Sequence, residues 1–396
     1  MTVGYSESIE SYCAHIKNVV LPFWHDNTFS KETSLFAERL DLTGNVLLNI
    51  PHRAMVQARQ IFVYSHAAST GVFPQGADYA MRAVENLLEC FCDAGGVENG
   101  LHFSITKNGD VVSSVRDSYT HAFVLFSFAA AYRLSGDRNL RLAIDHVVSF
   151  VDQRLSDPRS FGLFDQFPPS TSLKEQNPLM HLLEAYLALH EAIPDGDFLV
   201  RAAAIVEHFK SRMFMHKHGV LVEKYGNDWS VLDEQSPDLF YEPGHQFEWA
   251  WLLRRFGSLA KTDESSISDR LWQTARRHGL NAKLLCYDEV SLTMEARRRS
   301  HRLWPHAEGA KIAAVRTVAG DGDARPVAEA MAYALNNTFL HQPFEGGWID
   351  RVDEAHRALI DFVPASSLYH LYTAFVELAP LTKAGYSAET QMSGAT

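Results

Sequence analysis

Cysteine is scarce: Cys13, Cys90, Cys92 and Cys286 are all that 396 residues contain. Cys90-Phe91-Cys92 is one residue short of a C-x-x-C pair, so neither a disulfide framework nor a cysteine-built metal site is expected, and free thiols fit a reducing compartment. Positive charge is in deficit as well. A formal net charge of -12 gives no electrostatic reason to hold nucleic acid or an anionic membrane. Long apolar runs are absent; the longest, Ala122 to Tyr132, is too short to span a bilayer. The first twenty residues carry acids where a secretory signal has a basic segment followed by an apolar core. Together these absences predict a cytoplasmic protein. Strand alternation is rare too, convincing only in short pieces such as Leu101-His102-Phe103-Ser104-Ile105.

What the chain does have is apolar helical periodicity. With 46% hydrophobic and 21% charged residues it can build a large core, which argues against disorder. The periodicity predicts helices over roughly 6–21, 52–69, 75–93, 118–135, 138–154, 177–192, 196–213, 245–259, 266–280, 305–319, 323–340 and 366–379. Short joints such as Leu134-Ser135-Gly136-Asp137, Ile193-Pro194-Asp195-Gly196 and Ala319-Gly320-Asp321-Gly322 alternate with connections of about 20–30 residues, a length usually tied to function. Six hairpins with their long loops at one end describe an all-α (α/α)6 barrel, a toroid expected to form one catalytic domain over 1–382. The tail, 383–396, has little to bury and is expected to be mobile.

Polar residues recur where each even-numbered helix begins: Arg53, Tyr119 with His121, Asn177 with His181, His245 with Glu248, His306 with Glu308, and His370. Their intervals of roughly 60 to 68 residues match stacked helical hairpins, so all are expected on the long-loop rim. Pro243-Gly244 precedes His245, and His245 and Glu248 lie three apart on one face of a first helical turn. Metal binding could use such a pair, but no H-E-x-x-H or similarly tight spacing occurs, and neither a metal nor another cofactor is expected. Glycoside hydrolysis could use Glu248, Glu308 and Asp117, but it leaves the histidines idle. Proton transfer beside a sugar carbonyl uses them all: a base near neutrality for the C2 hydrogen, an acid for ring opening, and a cation such as Arg53 for the enediolate oxygen.

The same stretches carry a family resemblance. Asn177-Pro178-Leu179-Met180-His181-Leu182-Leu183-Glu184-Ala185, Pro243-Gly244-His245-Gln246-Phe247-Glu248-Trp249, Trp304-Pro305-His306-Ala307-Glu308 and Tyr369-His370 resemble the N-x-x-M-H-x-x-E-A, P-G-H-x-x-E-W, W-P-x-x-E and Y-H signatures of the N-acylglucosamine 2-epimerase superfamily. Arg53-Ala54-Met55-Val56-Gln57-Ala58-Arg59-Gln60 and Tyr119-Thr120-His121-Ala122-Phe123 resemble its N-terminal motifs. The resemblance implies a metal-free (α/α)6 sugar isomerase or epimerase. It makes His245 and His370 the acid/base pair, with Glu248 orienting its partner, His181 assisting ring opening and Glu308 polarising the reacting histidine. Arg53, Tyr119 and Asn177 would hold sugar oxygens, and Trp304 and Trp348 would wall the sugar. His306 stands where W-P-Q-x-E has Gln, which could alter substrate choice.

The resulting expectation is an isomerase interconverting D-mannose and D-fructose through a cis-enediolate. A 2-epimerase of N-acylglucosamine, mannose or cellobiose is the alternative, and a carbohydrate hydrolase or a protein-interaction module on the same toroid are the readings of a different class. The partner is a monosaccharide, with no nucleic acid or membrane, for a monomer or homo-oligomer. Ala296-Arg297-Arg298-Arg299-Ser300-His301-Arg302 is the densest positive run, and is expected to be a solvated loop rather than an anion clamp.

Overall fold

The computed structural model describes residues 5–170 and 173–383. The expected mobile tail lies outside the described residues from 384 onward. In chain order the helices are α1 (Ser8–His15), α2 (Leu21–Thr28), α3 (Ala54–Ser69), α4 (Gly76–Cys90), α5 (Ser118–Ser135), α6 (Arg138–Phe150) and α7 (Gln176–Ala192). They continue as α8 (Phe198–His208), α9 (Pro243–Ala260), α10 (Ser265–His278), α11 (Leu303–Val318), α12 (Arg325–Ala334) and α13 (Leu368–Leu378). A π turn over Ile16–Val20 joins α1 to α2, so the first rod runs to Thr28, beyond the expected end at 21. Leu21-Pro22 explains the difference. Proline at the first turn of a new helical segment is tolerated because its missing N–H would have no partner there.

Helices α3, α5, α7, α9, α11 and α13 form the inner ring, each packing on the next, and α13 packs back on α3 to close it. They are buried almost all round. In α5 every residue from Thr120 to Ala131 is buried, and its Ala129-Ala130-Ala131 run permits close approach of neighbouring helices. Outer helices α4, α6, α8, α10 and α12 are one-sided, burying stripes such as Leu140, Ala143, Ile144 and Val147 of α6 against the inner ring. The first rod fills the remaining outer place, with α1 against α12 and α13. Gly136, at φ 64°, turns the chain sharply after α5, and the Asp137 carboxylate caps α6 through the Asn139 N–H at 2.9 Å. No helix among the described residues is long and apolar enough to cross a membrane.

At the long-loop end, two-residue strands join neighbouring repeats. His52–Arg53 pairs antiparallel with Ser104–Ile105, Arg116–Asp117 with Gln166–Phe167, and Lys174–Glu175 with Lys224–Tyr225. Tyr241 bridges to Val290, and His301–Arg302 pairs with Arg351–Val352. Val363–Pro364 then pairs with Arg39–Leu40 of the first loop, closing the mouth as α13 closes the ring. One member of each pair lies just before an inner helix, so the pairing fixes where that helix begins and which way its first turn faces.

Candidate active site

A cavity of about 290 Å³ opens at the long-loop mouth, lined by Arg59, Tyr119, Asn177, His181, Glu242, His245, Glu248, Arg302, Trp304, Asp350, Ser366, Ser367 and His370. That size and its convergent polar groups fit a small-molecule site. The structure therefore brings together Tyr119, Asn177, His181, His245, Glu248, Trp304 and His370 from the sequence expectation, with Glu308 directly behind His370. Asn177 does not cap α7; it lies within the first turn, with Glu175 at the cap, and its buried Oδ1 has no partner. Gly244 is needed for this assembly, since a Cβ there would come within 2.5 Å of the Trp304 indole. That indole packs on both histidines, with ring centroids 4.8 Å from His245 and 5.5 Å from His370.

His245 differs from expectation in its partners. Its Nδ1 is 2.7 Å from Glu223 Oε2 and 3.7 Å from Glu242 Oε2, while Glu248 lies nearer His181. Burial disfavours a charged imidazole, but Glu223 and Glu242 outweigh it and raise His245 to about 9. Glu223 is itself held by Gln176 Nε2 and the Glu242 N–H, both at 2.9 Å. His370 shows the opposite balance. Burial, helped by Arg59 and Lys311, holds it well below the ordinary imidazole range. Its Nδ1–H donates to Glu308 Oε1 at 2.7 Å, leaving Nε2 with a free lone pair. Lys311, fully buried, stands 2.7 Å from the other Glu308 oxygen and 3.8 Å over the Trp251 ring.

His181 is kept neutral by burial, at about 4, and its Nδ1 pairs with Glu184 Oε2 at 3.1 Å. Burial works against ionising Glu184, yet hydrogen bonds from His181 and Tyr369 and the charge of Lys311 bring it down to about 2. Glu248 is 1 % exposed and neither carboxylate oxygen has a hydrogen-bond partner. Burial, with Glu308 nearby, pushes it well above the usual carboxylate range. His181, Glu184 and Glu248 are close enough to share a cation. The His181 Nδ1 is already engaged with Glu184, which also accepts from Tyr369, so His181, Glu184 and Tyr369 form a hydrogen-bonded network that Glu248 borders without joining.

Three residues expected at the site lie elsewhere. Arg53 caps α3 from its strand and pairs with Glu38, away from the cavity. The guanidinium in the cavity is that of Arg59, which donates to Tyr119 Oη at 2.6 Å and Ser366 O at 3.0 Å and stacks 4.2 Å over the Phe123 ring. His306 is fully buried: its Nε2 accepts from Cys286 N–H at 2.9 Å and its Nδ1–H donates to Arg302 O at 2.8 Å. That tautomer is neutral, and burial lowers the ring to about 4. His121 is bound in the same way, to Leu101 N–H and Asp117 O. Trp348 is fully buried against Trp24, with ring centroids 4.6 Å apart. It is core because its strand bridge to Leu340 turns it away from the mouth.

The arginine run divides. Arg297 and Arg298 face Glu289, and Arg299 faces Glu354, all substantially exposed. Arg302 alone reaches the cavity, tied to Glu242 at 2.7 Å and Asp288 at 3.0 Å. Sequence reasoning missed Glu223, Glu242, Asp350 and Lys311 as well as Arg59. Two of these had a signal: Arg59 and Lys311 are charges inside otherwise buried helical stripes, where an unpaired charge is costly and a buried one must have partners.

Residues 36–374 match the family model described as N-acylglucosamine 2-epimerase. A mannose-6-phosphate isomerase of Rhizobium meliloti (strain 1021) is 28% identical over 382 residues, covering 93% of this chain and 96% of that one. A D-mannose isomerase of Pseudomonas cannabina pv. alisalensis is 25% identical over 384 residues, 90% of this chain and 89% of the other. The solved cellobiose 2-epimerase of Bacillus thermoamylovorans B4167 superposes with a TM-score of 0.84 at 14% identity, covering 94% of this chain and 98% of that one, which shows the shared barrel. With the motif residues gathered at one mouth of that barrel and the family model spanning the ring, this chain belongs to the N-acylglucosamine 2-epimerase family of sugar isomerases and epimerases.

Proposed function

We propose that this enzyme is an aldose–ketose isomerase for a neutral monosaccharide, interconverting D-mannose and D-fructose. One observation carries the reading: two histidines packed on the same indole are driven to opposite protonation states, His245 up to about 9 and His370 well down. Pairs of groups whose surroundings push them apart divide acid and base roles at neutral pH. In this assignment neutral His370 Nε2 takes the C2 hydrogen of the open-chain aldose. The C–H electrons form the C1–C2 double bond as the carbonyl electrons move to O1, giving the enediolate. Protonated His245 offsets that negative charge, gives its proton to O1 and takes the O2 hydroxyl proton as the carbonyl forms at C2, so it ends the cycle protonated as it began. His370 returns its proton to C1, so the product is an isomer of the substrate and no redox partner is consumed.

Ring opening comes first. Glu248, whose carboxyl is raised well above the usual range, and the His181 imidazole border the cavity together and fit proton donation to the ring oxygen and acceptance from O1. Arg59, Tyr119 and Asn177 would hold hydroxyls. Both cavity arginines are engaged, Arg302 by two carboxylates and Arg59 by Tyr119 and Ser366, which leaves the mouth poor in cation for a phosphate. The two similar isomerases are named for mannose and for its 6-phosphate, and this electrostatic balance favours the neutral sugar. The test is incubation in D2O with mannose, mannose 6-phosphate, N-acetylmannosamine and cellobiose, followed by chromatography and NMR. Fructose is expected, labelled at C1 to the extent that the proton on His370 exchanges with solvent before its return. A C2-labelled aldose without ketose, or turnover of the phosphate in preference to mannose, would overturn the assignment.

A further inference from the structure

His15, His341 and Glu345 meet outside the catalytic cavity, which none of them lines. His15 ends α1, and the other two belong to the loop that follows the last outer rod. The imidazoles pack with ring centroids 3.8 Å apart and tilted by 42°. Both Nδ1 atoms converge on one carboxylate oxygen: His15 is 3.6 Å and His341 4.0 Å from Glu345 Oε1, with one ligand atom from each residue within 4.8 Å of the others. Tetrahedral zinc with nitrogen and oxygen ligands at about 2.0–2.2 Å sets those ligand atoms about 3.3 Å apart. The observed set needs only a small contraction, and His341 and Glu345 are exposed enough to make it.

We propose that these three side chains form a divalent transition-metal site of the zinc class, with water completing the coordination. Two observations besides the spacing support it. His15 is buried, and its Nδ1, the nitrogen that faces Glu345, lies beyond good hydrogen-bond reach of that carboxylate at 3.6 Å, which leaves this nitrogen open to an ion. The loop is also fixed in the right place. His341 adopts φ 63°, unusual outside glycine; Leu340 bridges to Trp348; and Trp24 Nε1 donates to Gly346 O at 3.0 Å. Two imidazoles and a carboxylate are a donor set that suits zinc rather than magnesium or calcium. A bound ion would tie α1 to the last outer rod at the seam where the ring closes.

Chelated, purified full-length protein titrated calorimetrically with Zn²⁺ should bind one ion, with a rise in Tm. His341→Ala and Glu345→Gln, both at exposed positions, should fold normally, weaken binding at least tenfold and lose the Tm rise, while sugar turnover stays unchanged with or without chelator. Equal zinc affinity in wild type and both variants would overturn the proposal. So would zinc that is displaced by mannose, which would place the ion at His181, Glu184 and Glu248, and so would the absence of binding by the wild-type protein.

Discussion

Whether a histidine here is a proton carrier or a structural ligand depends on what its second nitrogen meets. His245 and His370 each give Nδ1 to a buried carboxylate and present the rest of the ring to the cavity, whereas His121 and His306 spend both nitrogens on backbone. Glu223 is the group that holds His245 protonated. Removing its charge in Glu223→Gln should lower the His245 pKa, because the remaining burial disfavours the charged ring. In wild type, activity should persist until pH rises through about 9, where His245 loses its proton. In the variant that basic limb should move down by about two units, with a loss at pH 8 of about tenfold. A pH–rate profile with an unmoved basic limb would remove Glu223 from this role. The stability sign agrees: His245 is raised above the ordinary 6.5, so its ion pair contributes fully below about pH 6.5 and is lost as pH rises through about 9.

At the scale of the element, the inner helices share a device for holding the rim. Gln57, His121, Gln246 and His306 each sit four residues past the strand or cap residue that precedes their helix, and each bonds the backbone of an earlier loop segment. Gln57 and Gln246 both accept a loop N–H and donate to a loop carbonyl, the work that His306 divides between Cys286 N–H and Arg302 O. His306→Gln should therefore keep fold and activity. His306→Ala leaves the buried Cys286 N–H unmatched and should cost about 1–3 kcal/mol. That loss should lower Tm by roughly 1–4 °C in a chain of this size, read by calorimetry. Selective loss of mannose affinity in His306→Gln, with Tm unchanged, would instead restore it to substrate recognition.

For the whole molecule, stability rests on closing a ring whose ends are more than 300 residues apart in sequence. Tyr12 Oη donates to Leu371 O at 2.7 Å, Gln60 Nε2 to Ala365 O at 2.9 Å, and Trp24 stacks on Trp348, all across that seam. Such contacts form late and depend on both ends being in place, since closing long loops costs entropy before the contacts repay it. Trp348→Ala should cost about 3–5 kcal/mol through the cavity it leaves. Its kcat/KM at a temperature well below the lowered Tm should stay within about threefold of wild type, because the indole does not line the mouth. A large loss of kcat/KM with little change in unfolding midpoint would return Trp348 to the sugar-binding wall.

The sequence by itself determined the barrel and most of the mouth. Apolar periodicity alternating with short and long joints requires hairpins that bury their faces on one another, and a charged or aromatic residue at the first turn of an inner helix must face the loop end. Tyr119, Asn177, His181, His245, Glu248, Trp304 and His370 were legible for that reason. Only the tertiary structure decided the rest. Arg59 replaced Arg53 because six residues along a helix is not a whole number of turns, and the rim strand turns Arg53 toward Glu38. Glu223 reaches His245 from a loop 22 residues away, with no periodic pattern to announce it. The protonation states were likewise invisible in the chain, since they come from burial and neighbouring charge: the same imidazole is pushed up beside Glu223, held down beside Glu308 and Lys311, and a fixed hydrogen-bond bridge at His306.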